Sequence, residues 1–103
     1  MIVEYLRYTV PADRADDFIQ DYAAAREPLL SSPHALSFDI SRCVEDPTQF
    51  ILRIEWTSAA DHMEKFRGSP EFRAFFAHVR PWVGCIDEMR HYDRIDADRG
   101  NAR

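Results

Sequence analysis

The sequence predicts an α+β domain of four antiparallel strands and two helical segments in the order β-α-β-β-α-β. Three observations predict it. Residues 2–10, 35–45, 50–56 and 84–94 are rich in strand-favouring types or alternate apolar with polar. Residues 12–30 and 58–80 instead repeat apolar positions at helical spacing. Finally, the turn Glu45-Asp46-Pro47-Thr48 joins the second and third strands directly, which makes them an antiparallel hairpin with a helix on either side of it in sequence.

In the first strand, Ile2, Glu4, Leu6, Tyr8 and Val10 share one face and Val3, Tyr5, Arg7 and Thr9 the other. Both faces carry large residues, so both are expected to be covered, and Pro11 closes the strand. A helix follows over 12–30. Asp13 with Asp16 resembles a capping arrangement, and Ala15, Phe18, Ile19, Tyr22, Ala25 and Leu29 form its apolar stripe. Pro28 disturbs the last turn, and Ser31-Ser32-Pro33 makes a loop. Leu36, Phe38 and Ile40 then alternate with Ser37, Asp39 and Ser41, and Phe50, Leu52, Ile54 and Trp56 with Ile51, Arg53 and Glu55.

Ser58 caps the next helix, with Asp61 three residues on, and this piece carries His62, Met63 and Phe66. Gly68-Ser69-Pro70 interrupts it. Ser69 as N-cap and Pro70 as first residue start a second piece with a stripe at Phe72, Phe75, Phe76 and Val79, ended by Pro81. In the final strand, Ile86, Glu88, Arg90 and Tyr92 face one way and Cys85, Asp87, Met89 and His91 the other. Residues 1–95 thus form one domain, and 96–103 a polar, frayed tail.

This order is the ferredoxin-like plan, a four-stranded antiparallel sheet with both helices on one face. The opposite face is left to carry Tyr5, Ile51 and Met89, with Val3, into water. A patch of that kind usually marks an interface, and a second copy packed sheet to sheet is the simplest cover.

Composition narrows the function classes. A chain of 103 residues has room for one domain and a modest core. Acidic residues outnumber basic ones, 18 to 13, for a net charge of −5, which argues against nucleic acid and anionic membranes as partners. Cys43 and Cys85 do not make a disulfide framework and are expected to be reduced. The start has no basic n-region or long apolar stretch, and no apolar run approaches a membrane span, so the expected compartment is the cytoplasm.

Three segments carry a family resemblance. Leu52-Arg53-Ile54-Glu55-Trp56-Thr57-Ser58, Phe66-Arg67-Gly68-Ser69-Pro70-Glu71-Phe72 and Val79-Arg80-Pro81 resemble the antibiotic-biosynthesis monooxygenase family. The closing Glu88-Met89-Arg90-His91-Tyr92, the opening strand and the stripe at Phe18, Ile19 and Tyr22 are similar too, so the likeness runs over about residues 1–94. It implies a dimeric α+β barrel. It also implies oxidation of phenolic or quinol-like substrates by O₂ without metal or flavin, although other members degrade haem or process small signalling molecules. The haem-degrading branch has an Asn, a Trp and a haem-ligating His where this chain carries Leu6, Phe66 and Phe76, so all three positions depart from it.

No Gly-rich phosphate loop, CxxC, HExxH or nucleophile elbow occurs, so no metal ligand set is signalled and no cofactor is expected. The remaining chemistry rests on His, Tyr, Trp and Glu near an apolar pocket. Such a pocket excludes water, orients a flat substrate and supplies a base. The expected catalytic residues are His62, His91 and Trp56. His62 lies one helical turn before Phe66 and can take a phenolic proton; otherwise it is a surface residue at a helix start. His91 closes the pocket, crosses the dimer interface or is a hydrogen-bonded strand residue. Trp56 donates its indole N–H to a substrate oxygen or belongs to the core. Glu4, Leu6, Tyr8, Phe66, Phe72 and Phe76 are the expected substrate-binding residues. A Glu on the helix-facing side is costly unless paired, which marks Glu4 as an edge residue or a polar pocket group. Arg53 and Glu55 are read as an ion pair on the open face.

The sequence therefore points to a cofactor-independent monooxygenase acting on a small aromatic substrate with O₂. The alternatives are a non-catalytic dimeric ligand-binding domain and a haem binder using His62 or His91.

Overall fold

β1 (Ile2–Thr9) and β3 (Gln49–Trp56) pair at the centre of a four-stranded antiparallel sheet, flanked by β4 (Ile86–Asp93) and β2 (Ala35–Arg42), in the order β2-β3-β1-β4. The computed structural model describes residues 2–96; the polar tail expected at 96–103 lies almost wholly outside the described residues. The two central strands hold the most apolar helix-facing residues. Leu6 and Tyr8 of β1 and Leu52, Ile54 and Trp56 of β3 are all buried.

Two helices, α1 (Ala15–Leu30) and α2 (Pro70–Val79), pack on that face. Ala15, Phe18, Tyr22, Ala25 and Leu29 of α1 are buried against it, each large apolar side chain stabilising the fold by about 1.5–3 kcal/mol. Ile19, counted in that stripe, is 40 % exposed and lies at its edge. The expected Asp13–Asp16 cap does not form. The chain enters through a 3₁₀ turn, Ala12–Arg14, and Arg14 stands at the N-cap without a side-chain hydrogen bond. Asp16 and Asp17 still sit in the first turn, where the helix dipole favours them. Pro28 lies inside the last turn, so the helix loses one hydrogen bond there but runs on to Leu30.

Four residues, Leu36, Met89, Ile86 and Val3, differ from the sequence reading in placement or burial. Leu36 is half exposed, because the β2–β3 register shifts between Ala35 and Ser37; Ala35 is buried in its stead. Met89 faces the helices and not the open side. It pairs with Leu6, and His91 pairs with Glu4, so both share the buried face of β1. A register shift beside Tyr8 turns Ile86 to that face as well, leaving Glu88, Arg90 and Tyr92 on the other. Val3 is 3 % exposed within the single chain. It lies between Glu55 and Tyr92 in the register, and Arg94 reaches Glu55 at 3.5 Å across it.

The open face keeps Tyr5 edge-on to Tyr92, exposed Ile51, and Arg53 paired to Asp39 and Glu55 at 2.8 Å each. Among the described residues no helix is long and apolar enough to cross a membrane. The 3₁₀ segment Arg80–Cys85 carries a core residue that the apolar pattern does not reveal. Trp82 is buried edge-on to Phe18 and donates its indole N–H to Asp21 at 2.8 Å.

Candidate active site

A cavity of about 260 Å³ opens between the sheet and the segment around α2, at the small end of ligand sites. Its floor is Glu4, Leu6 and Tyr8 of β1, Leu52, Ile54 and Trp56 of β3, and Ile86 and Met89. Its roof is His62, Phe66 and Arg67, then Phe72, Phe75, Phe76 and Val79 of α2, with Tyr22 of α1 at the side.

Local sequence creates this space. Ser58 accepts from the Asp61 N–H at 2.9 Å and starts a helical run that widens into a π-helical turn, Asp61–Phe66. There the Arg67 N–H reaches back five residues to the His62 carbonyl, a wider turn than an α-helix makes. His62 and Phe66 both point at the sheet and are buried. The chain then breaks. Ser69 donates to the Phe66 carbonyl at 2.6 Å and accepts the Phe72 N–H at 3.2 Å, so it ends one helical piece and caps the next. The break keeps the two pieces from packing on the sheet as one continuous rod.

One end of the cavity is polar. The Trp56 indole donates to Glu4 Oε1 at 2.9 Å. His62 stacks on Trp56, ring centres 4.1 Å apart and planes 11° from parallel. Its Nε2 lies 3.8 Å from Glu4 Oε1, and its Nδ1 is hydrogen-bonded to His91 Nε2 at 2.6 Å. Glu4 is 2 % and His62 4 % exposed. Burial raises the Glu4 carboxyl to about 7, with the Trp56 hydrogen bond and the charge of Arg67 pulling the other way. Burial lowers His62 to about 3, helped by His91 and Arg67, and lowers His91 too. Near neutral pH the imidazoles are therefore uncharged, and Glu4 is the group poised between its two forms.

Elsewhere along the cavity the hydroxyls of Tyr8 and Tyr22 hydrogen-bond each other, and burial raises both phenols above their usual value. The other walls are aliphatic and aromatic.

Trp56, His62, Glu4, Leu6, Tyr8, Phe66, Phe72 and Phe76 all line this one cavity. His91 is held against His62 beside it. His62 is a buried residue, not a surface one. The Trp56 indole is committed to Glu4 and so is not free for a substrate oxygen. Glu4 is a polar pocket group, not an edge residue. Sequence reasoning missed Tyr22, Arg67 and Met89 as lining residues. Tyr22 was visible in the apolar stripe as its one hydroxyl-bearing member, whereas Arg67 and Met89 gave no local signal.

Fold and cavity together define a small α+β domain with a mostly apolar cavity between its sheet and its helices. The chain belongs to the antibiotic biosynthesis monooxygenase family, whose model matches residues 1–78. A structure from Bordetella bronchiseptica named for the same family superposes with a TM-score of 0.74 at 24% identity, over 91% of this chain and 96% of that one. SnoaB, a cofactor-independent oxygenase from Streptomyces nogalater, superposes with a TM-score of 0.76 at 14% identity, over 93% and 94%. These identities establish the shared fold. The uncharacterised protein YczJ of Bacillus subtilis is 27% identical over 60 residues, which are 58% of this chain and 63% of that protein, so the match spans less than two thirds of the relative's length.

Proposed function

We propose that the protein is a cofactor-independent monooxygenase that oxidises a small, flat aromatic or quinol-like substrate with O₂. The observation that carries this reading is the cavity between the sheet and the α2 segment, apolar along most of its walls, with a carboxyl poised near neutral pH at one end. Family membership and the likeness in fold to SnoaB, a cofactor-independent oxygenase, support it.

In this reading the aromatic walls hold the ring and exclude water, and the substrate's phenolic hydroxyl points at Glu4 and His62. Glu4, with a pKa of about 7, takes the proton and is the better-matched base; His62, at about 3, stays neutral and hydrogen-bonds the phenolic oxygen. The phenolate is electron-rich at a ring carbon. O₂ adds there, a C–O bond forms, and loss of the ring hydrogen with the distal oxygen releases water. Phenol plus O₂ becomes quinone plus water; the substrate supplies all the electrons, and one oxygen atom stays on the ring.

Oxygen uptake with a panel of quinols and phenols tests the reading. Turnover is expected in the parent, and Glu4→Gln, which removes the base, is expected to lower it by about 10²–10⁴-fold, the usual loss for a positioned proton-transfer group, with unchanged circular dichroism. Uptake no greater than in buffer across the panel would favour the ligand-binding alternative. Full activity in Glu4→Gln would remove that residue from the chemistry.

A further inference from the structure

We propose that Glu4, His62 and His91 form a binding site for one divalent transition-metal ion of the borderline class to which zinc and cobalt(II) belong. One ring nitrogen of each imidazole and one oxygen of the carboxylate lie within 4.8 Å of one another. Ligands at about 2.0–2.2 Å from a tetrahedral ion stand roughly 3.3–3.6 Å apart. His62 offers one of two nitrogens: Nε2 lies 3.8 Å from Glu4 Oε1, Nδ1 lies 2.6 Å from His91 Nε2, and a single ion takes only one of them, so the His62–His91 hydrogen bond or the approach to Glu4 rearranges on binding.

The chemistry of the donors fits. Two imidazoles and one carboxylate select borderline transition metals over magnesium or calcium, which prefer all-oxygen shells. The supports that usually orient ligands are present as well. The Trp56 indole holds one carboxylate oxygen, and the same ring fixes the plane of His62 by stacking. Three elements supply the donors, so the geometry is set by the sheet and the π-helical turn together. The open side is the cavity, which leaves positions for water or a ligand. Arg67 is the charged group whose field reaches all three donors, and its exposed guanidinium moderates the affinity.

This inference goes beyond the oxygenase reading and does not depend on it. An ion and a phenolic proton compete for the same donors, so the two are measured separately. Chelator-treated protein is titrated with Zn²⁺, Co²⁺ and Mg²⁺ by calorimetry, without substrate. One Zn²⁺ or Co²⁺ per chain is expected, with a Kd tighter than about 10 μM, and no Mg²⁺ uptake. His91→Ala and the shape-conserving Glu4→Gln are each expected to weaken Zn²⁺ binding by at least about 100-fold, while the exposed His78→Ala leaves it unchanged. Thermal melts confirm that each variant is folded; because Glu4→Gln keeps the packing, it decides the matter if His91→Ala does not fold. No Zn²⁺ or Co²⁺ uptake, or parent affinity in Glu4→Gln, overturns the site. Oxygen uptake by the chelator-treated protein reports on the oxygenase reading alone.

Discussion

Replacing Glu4 with Gln should stabilise the protein above neutral pH even as it removes the proposed base. Burial raises the carboxyl from 4.5 to about 7 in the folded protein. The difference is about 2.5 pH units, and at about 1.36 kcal/mol per unit it corresponds to about 3.4 kcal/mol. A raised carboxyl favours the folded state fully below the unfolded value of 4.5. That contribution falls away between 4.5 and about 7, and above 7 the whole cost of burying the charge is felt. Gln keeps an acceptor oxygen for the Trp56 indole and carries no charge at any pH. His62 titrates in the opposite sense, lowered from 6.5 to about 3, but it is common to both proteins and drops out of their difference. Urea denaturation at fixed protein concentration, in chelator, is the assay. At pH 8 the variant should be more stable by about 3 kcal/mol, a midpoint shift of about 1–3 M urea. At pH 4 the two should nearly coincide. A difference that is the same at pH 4 and pH 8, or a variant less stable at pH 8, would refute the buried, neutral-leaning carboxyl on which the site reading depends.

Quinol oxidation by the parent should rise with pH through about 7 as Glu4 ionises, and stopped-flow rates that are flat across that range would separate Glu4 from proton transfer. A homodimer through the open sheet face is expected, since Tyr5, Ile51 and Tyr92 lie there; sedimentation should show it at micromolar concentration and Ile51→Lys should dissociate it, whereas a stable parent monomer would sink the idea. Trp82→Phe removes the hydrogen bond to Asp21 and should cost about 1–3 kcal/mol in urea unfolding; an unchanged midpoint would mean that the bond adds nothing. Thiol titration of the unfolded, unreduced protein should return both Cys43, just after β2, and Cys85, the last residue of the 3₁₀ segment before β4, because neither is in a disulfide.

Most of the element order and much of the cavity lining were legible in the chain. Glu4 stood out because a carboxyl among Leu6 and Tyr8 on a helix-facing side has to be paired or poised. His62 stood out because it is one helical turn from Phe66 and ahead of the Gly68-Ser69-Pro70 break. Leu36 and Met89 were misplaced for a common reason, whereas Val3 stands on the expected face and is covered there by its neighbours. Alternation along a strand gives two faces but not which face is which, and a single register shift moves a residue from one to the other. Trp82 was missed because it lies in a 3₁₀ segment after Pro81, where neither a two-residue nor a 3.6-residue period applies.

The sequence by itself determined the parts that depend on local periodicity and punctuation: four strands, the α1 stripe, the hairpin turn, the Ser69-Pro70 restart and the family. These follow from burial repeating along one element, which neighbouring residues encode. Tertiary structure alone decided that the Trp56 indole is spent on Glu4, that His62 is buried and weakly basic, and that His91 meets it from another strand. Those facts arise from contacts 29 to 52 positions apart in the chain. Their chemistry comes from shared exclusion of water, which belongs to the packed layers and to no segment alone.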